Sequence, residues 1–336
     1  MRRFDDSVAL SEALSGFKVL IAGCQTSSES VRARYVLEAC PTDVAQLHVR
    51  CSNIEKLQFQ IFSEFRVTDV SRPLWEGSWC DLASGFLKLL EFTGAGGEAS
   101  VRQVLVDLTD ADWELGFFIL PALYSNPTYQ VTCAFTAPKS YPQADDSAGH
   151  PPVQTRYIRQ PPGWMADLAP RAAYPRHMLF LGFDNDRAQK FIEHYNWVPN
   201  NCVAVFGDPP YIERGRAISE KANRLLMLSI PNTAVNRMAV DAADPTGTVA
   251  LLKSVLSNSD SLDIILLGTS PMTLGAVWFY LQLSDADQKR VRFLHDFPQR
   301  QPSRTIGVGH AWLYSTPSEI LDKMQAGRLN TGARSS

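Results

Sequence analysis

Strands that alternate with helices leave few folds open, and this chain runs through that alternation twice. An apolar run at 17–23, closed by glycine, leads into polar Gln25-Thr26-Ser27-Ser28 and then a helical pattern through Val31, Tyr35, Val36 and Leu37. That is the order strand, cap, helix. Further along, 46–50 reads as a strand, 54–62 as a helix, and 79–92 as a helix with Leu82, Phe86, Leu89 and Leu90 on one face. Residues 104–108 read as a strand, 113–124 as an apolar helix that Pro121 kinks or ends, and 130–135 as a strand. The order then restarts, with strands at 178–182, 202–206, 263–267 and 291–294 and helices through 188–192, 218–227, 248–256 and 272–283. Strands in this order pair in parallel through right-handed crossovers. The expected fold class is α/β, with two tandem Rossmann-like parallel-sheet units.

A single offset relates the two runs. Leu20 and Leu179, Gly23 and Gly182, Leu115 and Leu274, Gly116 and Gly275, and Ser125 and Ser284 are each 159 positions apart, and each pair falls at the same place in the strand and helix order. An internal duplication accounts for this; two unrelated α/β domains of similar length are the alternative. Between Pro138 and Pro175 the texture changes to proline, glycine and charge, with Asp145-Asp146, His150-Pro151-Pro152 and Pro161-Pro162-Gly163-Trp164. The expected division is an N-terminal extension at 1–16, a first unit at 17–138, a linker at 139–175, a second unit at 176–316, and a C-terminal helix and tail at 317–336.

Composition excludes several partners. With 45% hydrophobic and 20% charged residues the chain has a globular balance, and a net charge of -3 offers no basic excess for duplex DNA or RNA. The most apolar window, 262–283, is interrupted by Gly268-Thr269-Ser270-Pro271 and divides into a buried strand and a buried helix, so no membrane span is expected. Acidic Phe4-Asp5-Asp6 stands where the apolar core of a signal peptide would begin, which points to the cytoplasm. The six cysteines, Cys24, Cys40, Cys51, Cys80, Cys133 and Cys202, include no C-x-x-C pair, so the expectation is free thiols with neither a zinc site nor a disulfide framework.

In open parallel sheets ligands bind beyond the carboxyl ends of the strands. Gly268, Thr269, Ser270 and Thr273 form a glycine-closed, hydroxyl-rich loop that can hold a phosphate against a helix N-terminus, or in which Ser270 simply caps the helix with Pro271 at its first position. Gly23, Gln25, Thr26 and Asp184 lie in other loops of the same kind, and Lys139, beside Tyr141, and Arg304 are candidate anion contacts from the equivalent final strands. The loop from Asp107 to Asp112 is acidic instead, with Asp107, Asp110 and Asp112, which repels phosphate and serves helix capping or a metal. His295 with Asp296 is a candidate general base with its orienter, and Asp110 is a second acid–base candidate. Tyr157, Arg159 and Trp164 of the linker could cover a cleft. The chain contains no G-x-S-x-G, H-E-x-x-H or G-x-x-x-x-G-K-[ST] motif, and no G-x-G-x-x-G after a strand. No metal or cofactor is expected.

Two fused Rossmann-like units with the loop L-L-G-T-S-P-M-T-L-G near the end of the second resemble the CARF and SAVED sensor domains of bacterial and archaeal antiviral systems. The resemblance covers the architecture and, at residue level, that one loop. It implies a nucleotide-type anionic ligand held between the halves, with Gly268, Thr269, Ser270 and Thr273 on phosphate, and a sensing role exercised through a separate effector protein. Two other classes stay open: an enzyme acting on a phosphorylated metabolite, with His295 or Asp110 as acid or base, and a non-catalytic structural subunit whose loops are only helix caps.

Overall fold

A computed structural model describes residues 1–23, 29–53, 58–63, 73–92, 101–109, 115–141, 154–155, 158–161, 164, 175–184, 187–296, 298–299 and 305–326. The elements in chain order are β1 (Arg2–Phe4), α1 (Ser7–Leu14), β2 (Val19–Gly23), α2 (Glu29–Ala39), β3 (Ala45–Asn53), β4 (Gln58–Phe62), β5 (Trp75–Ser78), α3 (Trp79–Phe92), β6 (Arg102–Asp107), a π-helical turn (Leu115–Ile119), α4 (Leu120–Tyr124) and β7 (Tyr129–Ser140). They continue with β8 (Gln154–Thr155), β9 (Pro175–Phe180), α5 (Arg187–Tyr195), a 3-10 turn (Pro199–Asn201), β10 (Cys202–Gly207), α6 (Gly215–Ala222), α7 (Arg224–Ser229), β11 (Arg237–Val240), α8 (Pro245–Ser257), β12 (Ser261–Leu266), α9 (Ser270–Gln282), α10 (Asp285–Gln288), β13 (Val291–Leu294), β14 (Pro298–Gln299), β15 (Ile306–Ser315) and α11 (Ser318–Gln325). Among the described residues no helix is long and apolar enough to cross a membrane.

Two compact units result. One comprises Met1–Tyr141 and Pro302–Ser336, the other Pro142–Gln301. The first carries an eight-stranded sheet in the order β1-β15-β7-β6-β2-β3-β4-β5, in which β7, β6, β2 and β3 run parallel and the flanking strands antiparallel. The second carries an all-parallel sheet in the order β11-β10-β9-β12-β13. β2 lies between β3 and β6 in the first sheet and β9 between β10 and β12 in the second, so the order reverses between β2 and β6 in one and between β9 and β12 in the other. β6 and β12 run Arg102–Asp107 and Ser261–Leu266, which keeps the 159-residue offset at both ends of this pair of strands.

Several elements depart from the sequence expectation, each for a local reason. Residues 58–62 form a strand, not part of a helix: Phe59 and Ile61 are buried while Gln60 faces outward to accept from Arg50 Nη2 at 2.9 Å and donate to Glu76 Oε2 at 3.1 Å, a two-residue period. The helix expected over 218–227 breaks at Asn223, whose Nδ2 donates to the carbonyls of Ser219 and Gly182. Pro121 gives the apolar helix its π-helical first segment, since a proline removes one hydrogen bond and its ring crowds the carbonyl four residues back. The largest departure concerns 302–316, assigned from sequence to the second unit. Its strand β15 pairs antiparallel with β7 from Ile306↔Ser140 to Ser315↔Thr132, and on its other edge with β1, so it belongs to the first sheet.

Part of the expected linker is likewise built into the second unit. Arg159 and His295 exchange both backbone hydrogen bonds, 3.0 and 2.9 Å, and β8 pairs antiparallel with β14. Trp164 is buried against Tyr280 and Phe293, with ring centroids 4.6 and 5.1 Å away. It packs within that unit's own core.

Within the second unit a closed circuit of side chains braces the sheet. Asp263 accepts from Arg292 on one neighbouring strand at 2.7 and 2.8 Å, and its Oδ2 lies 2.8 Å from His177 Nδ1 on the other. The His177 ring stacks on Trp197 at 4.0 Å, Trp197 on Tyr195 at 5.2 Å, and Arg292 returns over the Tyr195 ring at 5.4 Å. Burial alone would raise the Asp263 pKa, but the hydrogen bonds from His177 and Arg292 hold it below the ordinary value.

Gly275 of the repeat pattern has a packing reason. A Cβ there would overlap the Pro245 carbonyl oxygen and come within 2.7 Å of Thr248 Cβ, so α8 and α9 touch along this glycine. Alanine favours a helix interior over glycine by about 1 kcal/mol, yet the overlap forces the helices apart. Gly275→Ala is expected to lower stability by about 1–3 kcal/mol in chemical denaturation, and an unchanged or raised value would refute the close packing.

Candidate functional site

In both sheets the edge that matters lies at the carboxyl ends of the strands, where the strand order reverses. The second unit fills its own reversal point. A Cβ on Gly182, after β9, would overlap the Leu267 carbonyl oxygen, after β12, so the two loops pack main chain against main chain. The Gly182 carbonyl accepts from Ser219 Oγ at 3.0 Å and Asn223 Nδ2 at 3.1 Å.

The hydroxyl-rich loop is spent on its own helix. Thr269 is the N-cap of α9: its Oγ1 accepts from the Met272 N–H and donates to the Ala242 carbonyl at 2.7 Å. Thr273 directs both its N–H and its hydroxyl to the Thr269 carbonyl, at 3.1 and 3.4 Å. Pro271 has no N–H, so Ser270 supplies the one first-turn amide not yet committed. The cap belongs to Thr269, one residue before the Ser270 expected from the sequence. Gly268 lies against Met272, whose Sδ would be 2.6 Å from an added Cβ.

Asp184 and Asp296 converge on Arg187, the first residue of α5. Arg187 Nη1 donates to Asp184 at 2.7 Å, while Nε and Nη2 grip both oxygens of Asp296 at 2.7 and 2.6 Å. All three are buried. Desolvation opposes the charge on Arg187, but Asp296 and then Asp184 outweigh it and raise its pKa; desolvation likewise opposes ionisation of Asp296, and Arg187 overcomes it. Asp296 therefore orients Arg187, where the sequence pattern pairs it with His295. His295 itself is buried, with its backbone engaged by Arg159. Arg187→Met would leave two carboxylates buried together without their cation, and a loss of about 3–5 kcal/mol is expected in urea denaturation; a loss under 1 kcal/mol would show that the cluster is not held by charge.

The first unit is different at its reversal point. One register row runs His48, Ala22, Asp107, Ala134 across β3, β2, β6 and β7, and residues in register on parallel strands share a face. The corresponding row of the second unit is Val205, Phe180 and Leu266, all apolar. Asp107 is thus a carboxyl where the offset places Leu266, and beside it the small Ala22 stands where the other sheet has Phe180.

Asp107 is 1% exposed. Its Oδ1 accepts from the N–H and hydroxyl of Thr109, at 2.9 and 2.6 Å. Thr109 Oγ1 in turn accepts from the Thr136 N–H at 2.8 Å, and the Thr136 carbonyl accepts from Arg32 Nη1 at 2.6 Å. Two buried oxygens of this chain of contacts, Asp107 Oδ2 and Thr136 Oγ1, have no hydrogen-bond partner among the described residues. Desolvation pushes the Asp107 pKa up to about 7 against the opposing pull of Thr109 and Arg32. Burial also brings His48 down to about 4, against the backbone of Gly23, and raises Cys40 to about 12 with help from the Asp107 charge. His48 and Cys40 are accordingly neutral near pH 7, where Asp107 is divided between its charged and its protonated form.

The remaining sequence candidates distribute as follows. Gly23 ends β2 and is buried in register with Val49. Lys139 is exposed, five residues beyond Ala134 on β7 and so roughly 16 Å further along that strand. Gln25, Thr26, Asp110, Asp112, Tyr157 and Arg304 lie outside the described residues. Sequence inspection grouped Asp107 with the acidic loop and did not single out Thr136 or Arg32; the available signal was a carboxyl at the end of an otherwise apolar strand. No family model matches the chain, and no curated protein matches it.

A carboxyl whose folded-state pKa is raised stabilises the fold fully below the unfolded value near 3.8, and that stability is lost as pH rises through about 7. Compared with Asp107→Asn, the wild-type protein is expected to lose about 2–3 kcal/mol of unfolding free energy between pH 5 and pH 8. Urea titrations at the two pH values measure this, and a constant difference between the two proteins would overturn the assignment.

Proposed function

We propose that this protein is a ligand-binding sensor module for a nucleotide-type small molecule, seated at the carboxyl edge of the first unit's sheet beside Asp107. The observation that carries the proposal is the pair of buried, partnerless atoms Asp107 Oδ2 and Thr136 Oγ1 at the strand-order reversal. A buried polar group without a partner costs about 1–3 kcal/mol, and folds retain such groups where something else satisfies them. The apolar row of Val205, Phe180 and Leu266 in the second unit shows that this scaffold does not require polar groups there.

The shared placing of β2 beside β3 and β6 and of β9 beside β10 and β12, with the 159-residue offset between β6 and β12, supports an origin of both units from one ancestral unit. On that account the second copy has become a packed support and the first has kept the binding edge. The architectural resemblance to CARF and SAVED sensor domains supports the same class of ligand. It moves the seat, however, from the α9 loop, where the hydroxyls of Thr269 and Thr273 are committed within the chain, to the Asp107 cluster.

The test is a thermal-shift screen followed by calorimetry on the full chain, with mononucleotides and with linear and cyclic oligonucleotides. A true ligand at a hundred times its Kd stabilises by about 2.7 kcal/mol, a shift of several degrees. Asp107→Ala is expected to abolish that shift, while silence across the whole panel would sink the proposal.

A further inference from the structure

The hydrogen-bonding capacity left over at the Asp107 cluster limits what can bind there. Thr109 is fully used, since its hydroxyl donates to Asp107 Oδ1 and accepts from the Thr136 N–H. Asp107 Oδ1 already holds two donors. Of the cluster's side-chain oxygens, one carboxyl oxygen and one hydroxyl remain, both on the face of the sheet that α2 covers with Arg32 and Cys40. A phosphate there would face the Asp107 carboxylate. An ammonium would face the Arg32 guanidinium and find a single carboxyl oxygen for its three N–H groups.

We infer that the group bound at Asp107 Oδ2 and Thr136 Oγ1 is a vicinal diol of the ribose type, so that the sugar of the ligand enters the first unit and its phosphate stays outside. This rests on the ligand-binding reading above. One hydroxyl donates to Asp107 Oδ2 while its neighbour accepts from the Thr136 hydroxyl, and both partnerless atoms are satisfied by one small neutral group. A carboxylate at the carboxyl edge of a parallel sheet takes ribose hydroxyls in dinucleotide-binding folds by the same chemistry. Hydroxyls also suit this carboxyl better than an amide does. Each can donate or accept by rotation, so the contact survives whether or not Asp107 carries a proton, and its pKa near 7 populates both forms at neutrality. The Ala22 side chain, between His48 and Asp107 in the register row, takes up little of the space such a group needs.

The probes are the four ribonucleoside 5′-monophosphates, their 2′-deoxy and 3′-deoxy counterparts, and ribose 5-phosphate, titrated calorimetrically against the full chain. Ribonucleotides are expected to bind at least about tenfold tighter than either deoxy series, because each missing hydroxyl leaves a buried partner unmet. Thr136→Val, close in shape to threonine, and Asp107→Asn are expected to reduce that preference to within about twofold, with circular dichroism melts confirming that the variants are folded. If a variant does not fold, the wild-type preference alone decides. Equal binding of ribo and deoxy forms would overturn the diol and leave ligand binding standing, with a buried water as the occupant of the two atoms. Silence of the whole set, in a protein that binds some other member of the wider panel, would overturn the diol alone; silence in both would overturn the two proposals together.

Discussion

A parallel strand can join its neighbour only through a crossover that returns the chain to the same end of the sheet, and this requirement organises both units. It buries strands on two faces, which is why Met178, Leu179 and Phe180 of β9 and Leu262, Ile264 and Ile265 of β12 are all inaccessible. It also collects the carboxyl ends of the parallel strands on one edge, with the reversal of order falling beside β2 and beside β9.

The second unit fills it with its own atoms. Gly182 is pressed on the Leu267 carbonyl, Thr269 closes its helix, and Arg187 neutralises Asp184 and Asp296 in a buried cluster. Among the described residues of these loops no buried side-chain polar atom is left without a partner. The first unit, on the equivalent row, substitutes a carboxyl and a methyl for two large apolar side chains and leaves two oxygens unmet. Burial that would be neutral for Leu266 is costly for Asp107, and that contrast locates the proposed function in one unit.

Strands and helices were largely legible because their periods are written in the sequence. The helix Trp79–Phe92 and the strand Val291–Leu294 have the limits that periodicity alone suggests. Residues 58–62 were misread because a short apolar segment fits either period, and pairing with β3 and β5 decides between them. The site was less legible. Gly23, Asp184 and the 268–273 loop were correctly placed after strands, but which of their groups are already spent depends on Ala242, Ser219 and Asp296, residues remote in sequence. Arg32, Thr109 and Thr136 carry no motif; contacts across three elements make them a cluster with Asp107.

The sequence by itself determined the α/β class, the alternation of strands with helices, and the placing of glycines and carboxyls at strand ends, because local periodicity and loop chemistry act over a few residues. Only the tertiary structure decided that residues 306–315 complete the first sheet and not the second, since β15 finds its partner in β7, far earlier in the chain. It also decided which buried carboxyl is compensated and which is not. Compensation is a matter of distance in space: Arg187 reaches Asp296 across 109 positions, while Oδ2 of Asp107 has no hydrogen-bond partner among the described residues.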